Sequence, residues 1–218
     1  MNCEFLNGFR SENWNQLASI EKMALLQDME ILLAKLQNRN VREVLAVENF
    51  TAKYPKIWNL KNHEYYSPGY YFVNMGMNYH SLTEVIHEGR HAYQDDCLFD
   101  IVPNPDVSYE LLELWRLNHA YRGYYDYKEE AYYDYRYAVH RFQPIEVDCY
   151  DYEIKIFEMF KEKFLDDPEY LEHLNELIFD QEKCMEILFD KLGSNYQKQI
   201  NNHIRNLSLG KKSYYFFG

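Results

Sequence analysis

The chain has 218 residues, a formal net charge of −12, and a composition 47% hydrophobic and 17% aromatic. That length suits one domain with a sizeable core, and the composition excludes an intrinsically disordered chain. The acidic balance argues against a nucleic-acid partner or an anionic membrane surface, and no apolar run approaches the roughly 20 residues of a membrane helix.

Met1 to Gly8 lack the basic and apolar regions of a signal peptide. The cysteines Cys3, Cys97, Cys149 and Cys184 are scattered without a C-x-x-C pair, as expected of reduced thiols in a cytoplasmic protein.

Ser11 has the chemistry of an N-cap. From Glu12 to about Arg39 the residues Leu17, Ile20, Ala24, Leu25, Met29, Leu32, Leu33 and Leu36 recur at helical spacing, which predicts one long amphipathic helix. Whether that helix covers a cleft is open at this level. Val41 to Met77 is richer in β-branched and aromatic residues. It predicts strands near Val44–Val47 and Tyr70–Met75, a looser segment around Tyr54–Leu60, and a turn at Ser67-Pro68-Gly69. Ser81-Leu82-Thr83-Glu84 fits a capping box and predicts a helix from there to about Cys97.

Pro103 to Pro105 interrupts the chain, and further helices are expected near Ser108–Ala120 and Lys128–His140. Gln143-Pro144 opens one that runs to about Leu165, and Asp167-Pro168 opens another that ends at Gly193. Ser194 begins a last helix to about Leu207, before the aromatic tail Tyr214 to Phe217. Eight of the 22 tyrosines lie between Tyr121 and Tyr137, a density that fits amphipathic packing or a cleft wall. The expected fold class is α+β: a helix-rich domain with one small sheet. It spans 1–218, with an N-terminal helical segment at 1–40, the sheet and central helices at 41–165, and C-terminal helices at 166–218.

The predicted helix after Ser81 carries His87-Glu88-Gly89-Arg90-His91, the H-E-x-x-H pattern. At about 100° per residue the two histidines lie about 40° apart, one turn above each other, so both imidazoles can grip one cation. Leu82, Val85, Ile86, Ala92 and Tyr93 fall on the opposite side, leaving one face for packing and one for a cavity. Gly89 sits mid-helix on the apolar side, at a cost of roughly 1 kcal/mol relative to alanine. A close backbone approach to the sheet is the expected reason for it.

A catalytic zinc ion takes three protein ligands and keeps one position for water. Glu146 is the best-placed third ligand, because Cys149, Tyr150, Phe157, Phe160 and Phe164 lie within about 60° of it on a helical wheel. A carboxylate on that apolar stripe is buried and needs a cationic partner. Glu130, followed by Asp134 one turn on, is the main rival, and Glu110 is a weaker one. Asp148 points about 200° away and has a solvated role by default.

His87-Glu88-Gly89-Arg90-His91-Ala92-Tyr93-Gln94, followed by Gln143-Pro144-Ile145-Glu146-Val147-Asp148-Cys149, resembles a compact zinc metallopeptidase of the gluzincin type over about Tyr70 to Phe160. The resemblance implies a zincin-like fold packed on the motif helix and a Zn2+ ion bound by His87, His91 and Glu146. It makes Glu88 the general base, the substrate a peptide or protein, and the Tyr70–Met75 strand the edge that aligns it. The oxyanion-stabilising residue is not singled out; Tyr137, His140, Arg141 and Tyr150 are the candidates. The alternative is a catalytically silent zincin-fold protein that binds or regulates a partner.

Overall fold

The structure, a computed structural model, describes residues 4–46, 70–73, 78–99, 107–119 and 135–210. The looser segment Tyr54–Leu60, the Ser67–Gly69 turn, the Pro103–Pro105 break, Glu130, Asp134 and the aromatic tail lie outside those residues. The described chain is mostly helical. It forms two compact units, one of Met1–Asp96 with Tyr152–Asn175 and the other of Cys97–Asp151 with Glu176–Gly218. Their boundaries fall inside continuous helices.

In the first unit a 3-10 segment, Glu4–Phe9, leads into α1 (Ser11–Trp14) and α2 (Ser19–Leu36). The single helix expected from Glu12 onward is therefore broken. Ala18 is extended, and the Glu21 carboxylate accepts its backbone N–H at 2.8 Å, which restarts the helix at Ser19. Ser11 does not cap: its N–H goes to Asp167 Oδ2 at 3.1 Å and its hydroxyl to Glu169 Oε2 at 2.6 Å. Ile20 and Leu36, expected on the apolar face, are exposed, whereas Leu26, Met29 and Leu33 are buried.

Strands β1 (Glu43–Ala46) and β2 (Tyr70–Val73) pair in parallel, Glu43 opposite Tyr70 and Ala46 opposite Val73. The Gln27 side chain of α2 anchors β1, donating to Arg42 O and accepting from Val44 N, each at 2.9 Å. Next comes the motif helix α3 (Asn78–Leu98). It starts a turn earlier than the capping box predicts, so Ser81 is buried inside it. The Asn78 amide donates to Phe9 O at 2.9 Å and Ser11 Oγ at 3.0 Å, tertiary bonds that the local pattern cannot foretell.

The side of α3 that carries Gly89 packs on α2, and this corrects the expected approach to the sheet. A Cβ at Gly89 would stand 2.9 Å from Arg39 Nη2, 3.4 Å from Glu30 Oε2 and 3.4 Å from Leu33 Cδ1. Arg39 and Glu30 form a buried ion pair there at 2.5 and 2.6 Å, and Gln37 holds Arg39 Nε at 2.6 Å. Gly89 lies about 200° from His87 around the helix, so α2 supports α3 from behind the imidazole-bearing face.

The second unit contains α4 (Tyr109–His119) and α5 (Tyr135–Arg141). Ser108 Oγ caps α4 by accepting Leu111 N–H at 3.1 Å. Helix α6 (Pro144–Phe160) contributes to both units, as does α7 (Pro168–Leu192); α8 (Tyr196–Ser208) closes the second. Both prolines stand at the first helical position, as expected. Asp167 also accepts the Tyr79 hydroxyl at 2.6 Å, and Gly193 at φ 75° ends α7. In the first unit Tyr170 stacks on Phe164 at 4.5 Å and on Phe157 at 5.2 Å. In the second, Tyr137, Ala138, Val139, Phe142, Cys184, Leu188 and Ile200 make one cluster. Among the described residues no helix is long and apolar enough to cross a membrane.

Candidate metal centre

The two-sided wheel holds in α3. Leu82, Val85, Ile86, Gly89, Ala92 and Tyr93 are buried, while His87, Glu88, Arg90 and His91 are half-buried. One helical turn brings the imidazoles together, with ring centroids 4.8 Å apart and planes at 77°. Their Nε2 atoms face each other at 3.1 Å.

The other nitrogen of each ring is committed. His87 Nδ1 meets the buried carboxylate of Glu153, on α6, and His91 Nδ1 meets Gln94 Oε1 at 2.9 Å. An amide oxygen and a carboxylate only accept, so both Nδ1 atoms carry protons. Each Nε2 then keeps its lone pair when the ring is neutral. Two lone pairs at 3.1 Å repel unless a cation lies against them, either a proton on one nitrogen or a metal ion bound by both. Tetrahedral zinc with bonds of about 2.0–2.1 Å sets its ligand nitrogens roughly 3.3 Å apart, so the pair fits that ion with little movement. A histidine ligand held through Nδ1–H by a carboxylate or carbonyl is the usual support of such a site.

Arg90 clamps the same seam. Its guanidinium carbon lies 4.4 Å from the Tyr93 ring centroid and 4.8 Å from that of Tyr152, which joins α3 to the Glu153 turn of α6.

Glu146 is buried, with a carboxylate oxygen 3.9 Å from His140 Nε2. Gln143 Nε2 donates to His140 Nδ1 at 3.3 Å and accepts through Oε1 from Asn118 at 2.9 Å, so the His140 proton sits on Nε2, towards Glu146. Asp148 is half-buried, and Glu110 is exposed with Arg205 at 3.4 Å.

Tyr137 donates to Asp180 at 2.9 Å, and Arg141 pairs with the same carboxylate at 2.5 Å. Burial, reinforced by Asp180 and opposed by Arg141, raises the Tyr137 phenol well above its ordinary range. Tyr150 lies 3.7 Å beneath the Arg141 guanidinium.

Sequence reasoning missed Glu153 and assigned no role to Gln94. The signal for Glu153 was present: it stands two turns beyond Glu146, about 20° from it on the wheel, on the same stripe as the buried Cys149. Comparison with protein-family models, with curated proteins and with solved structures gave no match.

Proposed function

We propose that the chain is a zinc-dependent metallopeptidase on a zincin-like, gluzincin-type scaffold, acting on a peptide or protein in the cytoplasm. What supports this most is the His87–His91 pair, its Nε2 atoms 3.1 Å apart and its Nδ1 atoms held by Glu153 and Gln94. His87 and His91 would hold the cation. Glu146 is our choice of third ligand, from its place in the sequence motif, and the Cys149 thiolate is its competitor. Measuring zinc affinity in Glu146→Gln and Cys149→Ser decides between them. The ligand loses most of the affinity when replaced, and an unchanged constant for Glu146→Gln removes it from the set.

When bound, zinc supplies Lewis acidity that brings the pKa of a water towards about 7 and polarises a carbonyl. Glu153 and Gln94 fix both rings with Nε2 forward, so no reorientation is needed at the reacting centre. Glu88, beside the first ligand, takes a proton from the attacking water and returns it to the leaving amine. Strand β2 offers backbone groups to an extended substrate. His140 is the oxyanion donor we favour, since Tyr137 and Arg141 share Asp180 and Tyr150 lies under the guanidinium. Replacing it, His140→Gln, should lower kcat by about 10²–10³ with zinc retained. An unchanged kcat removes that role. The free thiols Cys97, Cys149 and Cys184 fit a reducing compartment.

The decisive experiment is Glu88→Gln. The variant should keep its zinc and lose turnover by about 10²–10⁴, read as cleaved peptide ends in a proteome-derived library. Equal cleavage by parent and variant would falsify the assignment. The locking of Tyr137 and Arg141 on Asp180 favours a second reading, a zinc-binding protein without hydrolysis, to which retained zinc and an uncleaved library would point.

A further inference from the structure

A second pair of histidines lies on the same helix system, away from the first. His80 is on the opening turn of α3 and His173 on α7. Their ring centroids are 4.6 Å apart at 72°, and their donor atoms lie within 4.8 Å of each other. Seven residues, or about 10.5 Å of helix, separate His80 from His87, so the two pairs cannot share an ion. His80 is exposed and gives an entry path; His173 is buried.

The hydrogen bonds around His173 fix its tautomer. The Thr83 hydroxyl donates to Tyr79 O at 2.9 Å, which uses its one proton. At 2.7 Å from His173 Nε2 the same oxygen must therefore accept, so Nε2 carries the proton and Nδ1 keeps its lone pair. Phe157 at 5.3 Å and Tyr79 at 6.4 Å pack around the ring and hold its plane. Tautomer-fixed and oriented is the state in which histidine ligates metals.

We infer that His80 and His173 hold a second divalent transition-metal ion, distinct from the one proposed at His87 and His91. Two imidazoles suit zinc, copper, nickel or cobalt rather than calcium or magnesium. Such an ion would fasten the first turn of the motif helix to α7. The inference does not depend on peptidase activity.

Calorimetric titration of chelator-stripped protein with zinc chloride tests it. The parent should take up two ions per chain, and the His87→Ala/His91→Ala double variant one. Adding His80→Gln to that background should weaken the remaining site at least about tenfold. His80 is exposed, so this change spares the core; it should also reduce the otherwise intact parent from two ions to one. Thr83→Val, which removes the hydroxyl that fixes the tautomer, should weaken the same site and leave the other unchanged. The inference is overturned if the parent binds a single ion that His87→Ala abolishes, or if His80→Gln leaves count and affinity unchanged. A single ion lost only in His80→Gln would instead sink the peptidase reading and keep this one.

Discussion

At the scale of single residues, the site is a pair of lone pairs that needs a positive charge. Glu153 does two things there: it puts the His87 proton on Nδ1, and it brings a negative charge to the side of the ring away from Nε2. Glu153→Gln keeps an acceptor and removes the charge, so zinc affinity should fall about 10- to 100-fold without abolishing binding. Competition with a chromophoric chelator measures this, and an unchanged affinity would show that Glu153 does not support the ligand. Zinc uptake must also displace any proton held between the two Nε2 atoms, so binding should release protons and weaken as pH falls. Unbuffered titration followed with a pH indicator records the release; uptake with no protons released at any pH between 5 and 8 would contradict it. The histidine pair was legible in the sequence because a spacing of four on a helix fixes two directions by itself. Glu153 was overlooked because reading α6 stopped at its first buried acid, Glu146, although both share one stripe. The choice of Glu146 as third ligand over Glu130 and Glu110 rested on a helical wheel alone, since the position of a ligand from another segment depends on packing between segments far apart in the chain.

At the scale of elements, α3 works as a plate with the two imidazoles on one side and α2 on the other. The glycine at position 89 lets the buried Glu30–Arg39 pair approach the helix backbone. Gly89→Ala improves intrinsic helix propensity by about 1 kcal/mol. Its new Cβ, however, would stand 2.9 Å from a guanidinium that Glu30 and Gln37 hold in place. Overpacking of that kind costs about 1–3 kcal/mol, so the net change should be destabilising, and more so if the ion pair is disturbed. Urea unfolding at constant m-value measures it; a stabilised variant would contradict the packing described. Helix starts were readable where proline or serine marks them, at Ser108, Pro144 and Pro168. They were misread at Ala18 and Asn78. There a glutamate three residues on, or bonds to residues nearly 70 positions away, do the work of a cap. The parallel β1–β2 pair was legible as two strands, but their direction and partnership were not, because that information lies in the connection and not in either strand.

At the scale of the molecule, acid should unfold this chain through buried histidine. His203 on α8 is buried, and desolvation lowers its pKa below the ordinary value near 6.5. The unfolded chain therefore binds the proton more readily than the folded one. As pH falls from about 6.5 towards the lowered value, the unfolded state gains protons first and stability drops, by up to about 1.4 kcal/mol per pH unit from this group. Above 6.5 both states are neutral there and the contribution is level. Chemical unfolding of metal-free protein between pH 7.5 and 5 should show the loss, with a shallower slope in His203→Gln whatever that variant's absolute stability. Equal slopes would remove His203 as the cause. Length and composition indicated a core large enough to bury such groups; which histidines enter it is a property of the packing alone.

The central claim is that His87 and His91 share one cation. Crystals grown with zinc and measured at the zinc absorption edge test it most directly. The account predicts an anomalous peak about 2.0–2.1 Å from both Nε2 atoms, with Glu153 still on His87 Nδ1. Imidazoles at their present spacing with no peak between them, at saturating zinc, would contradict it.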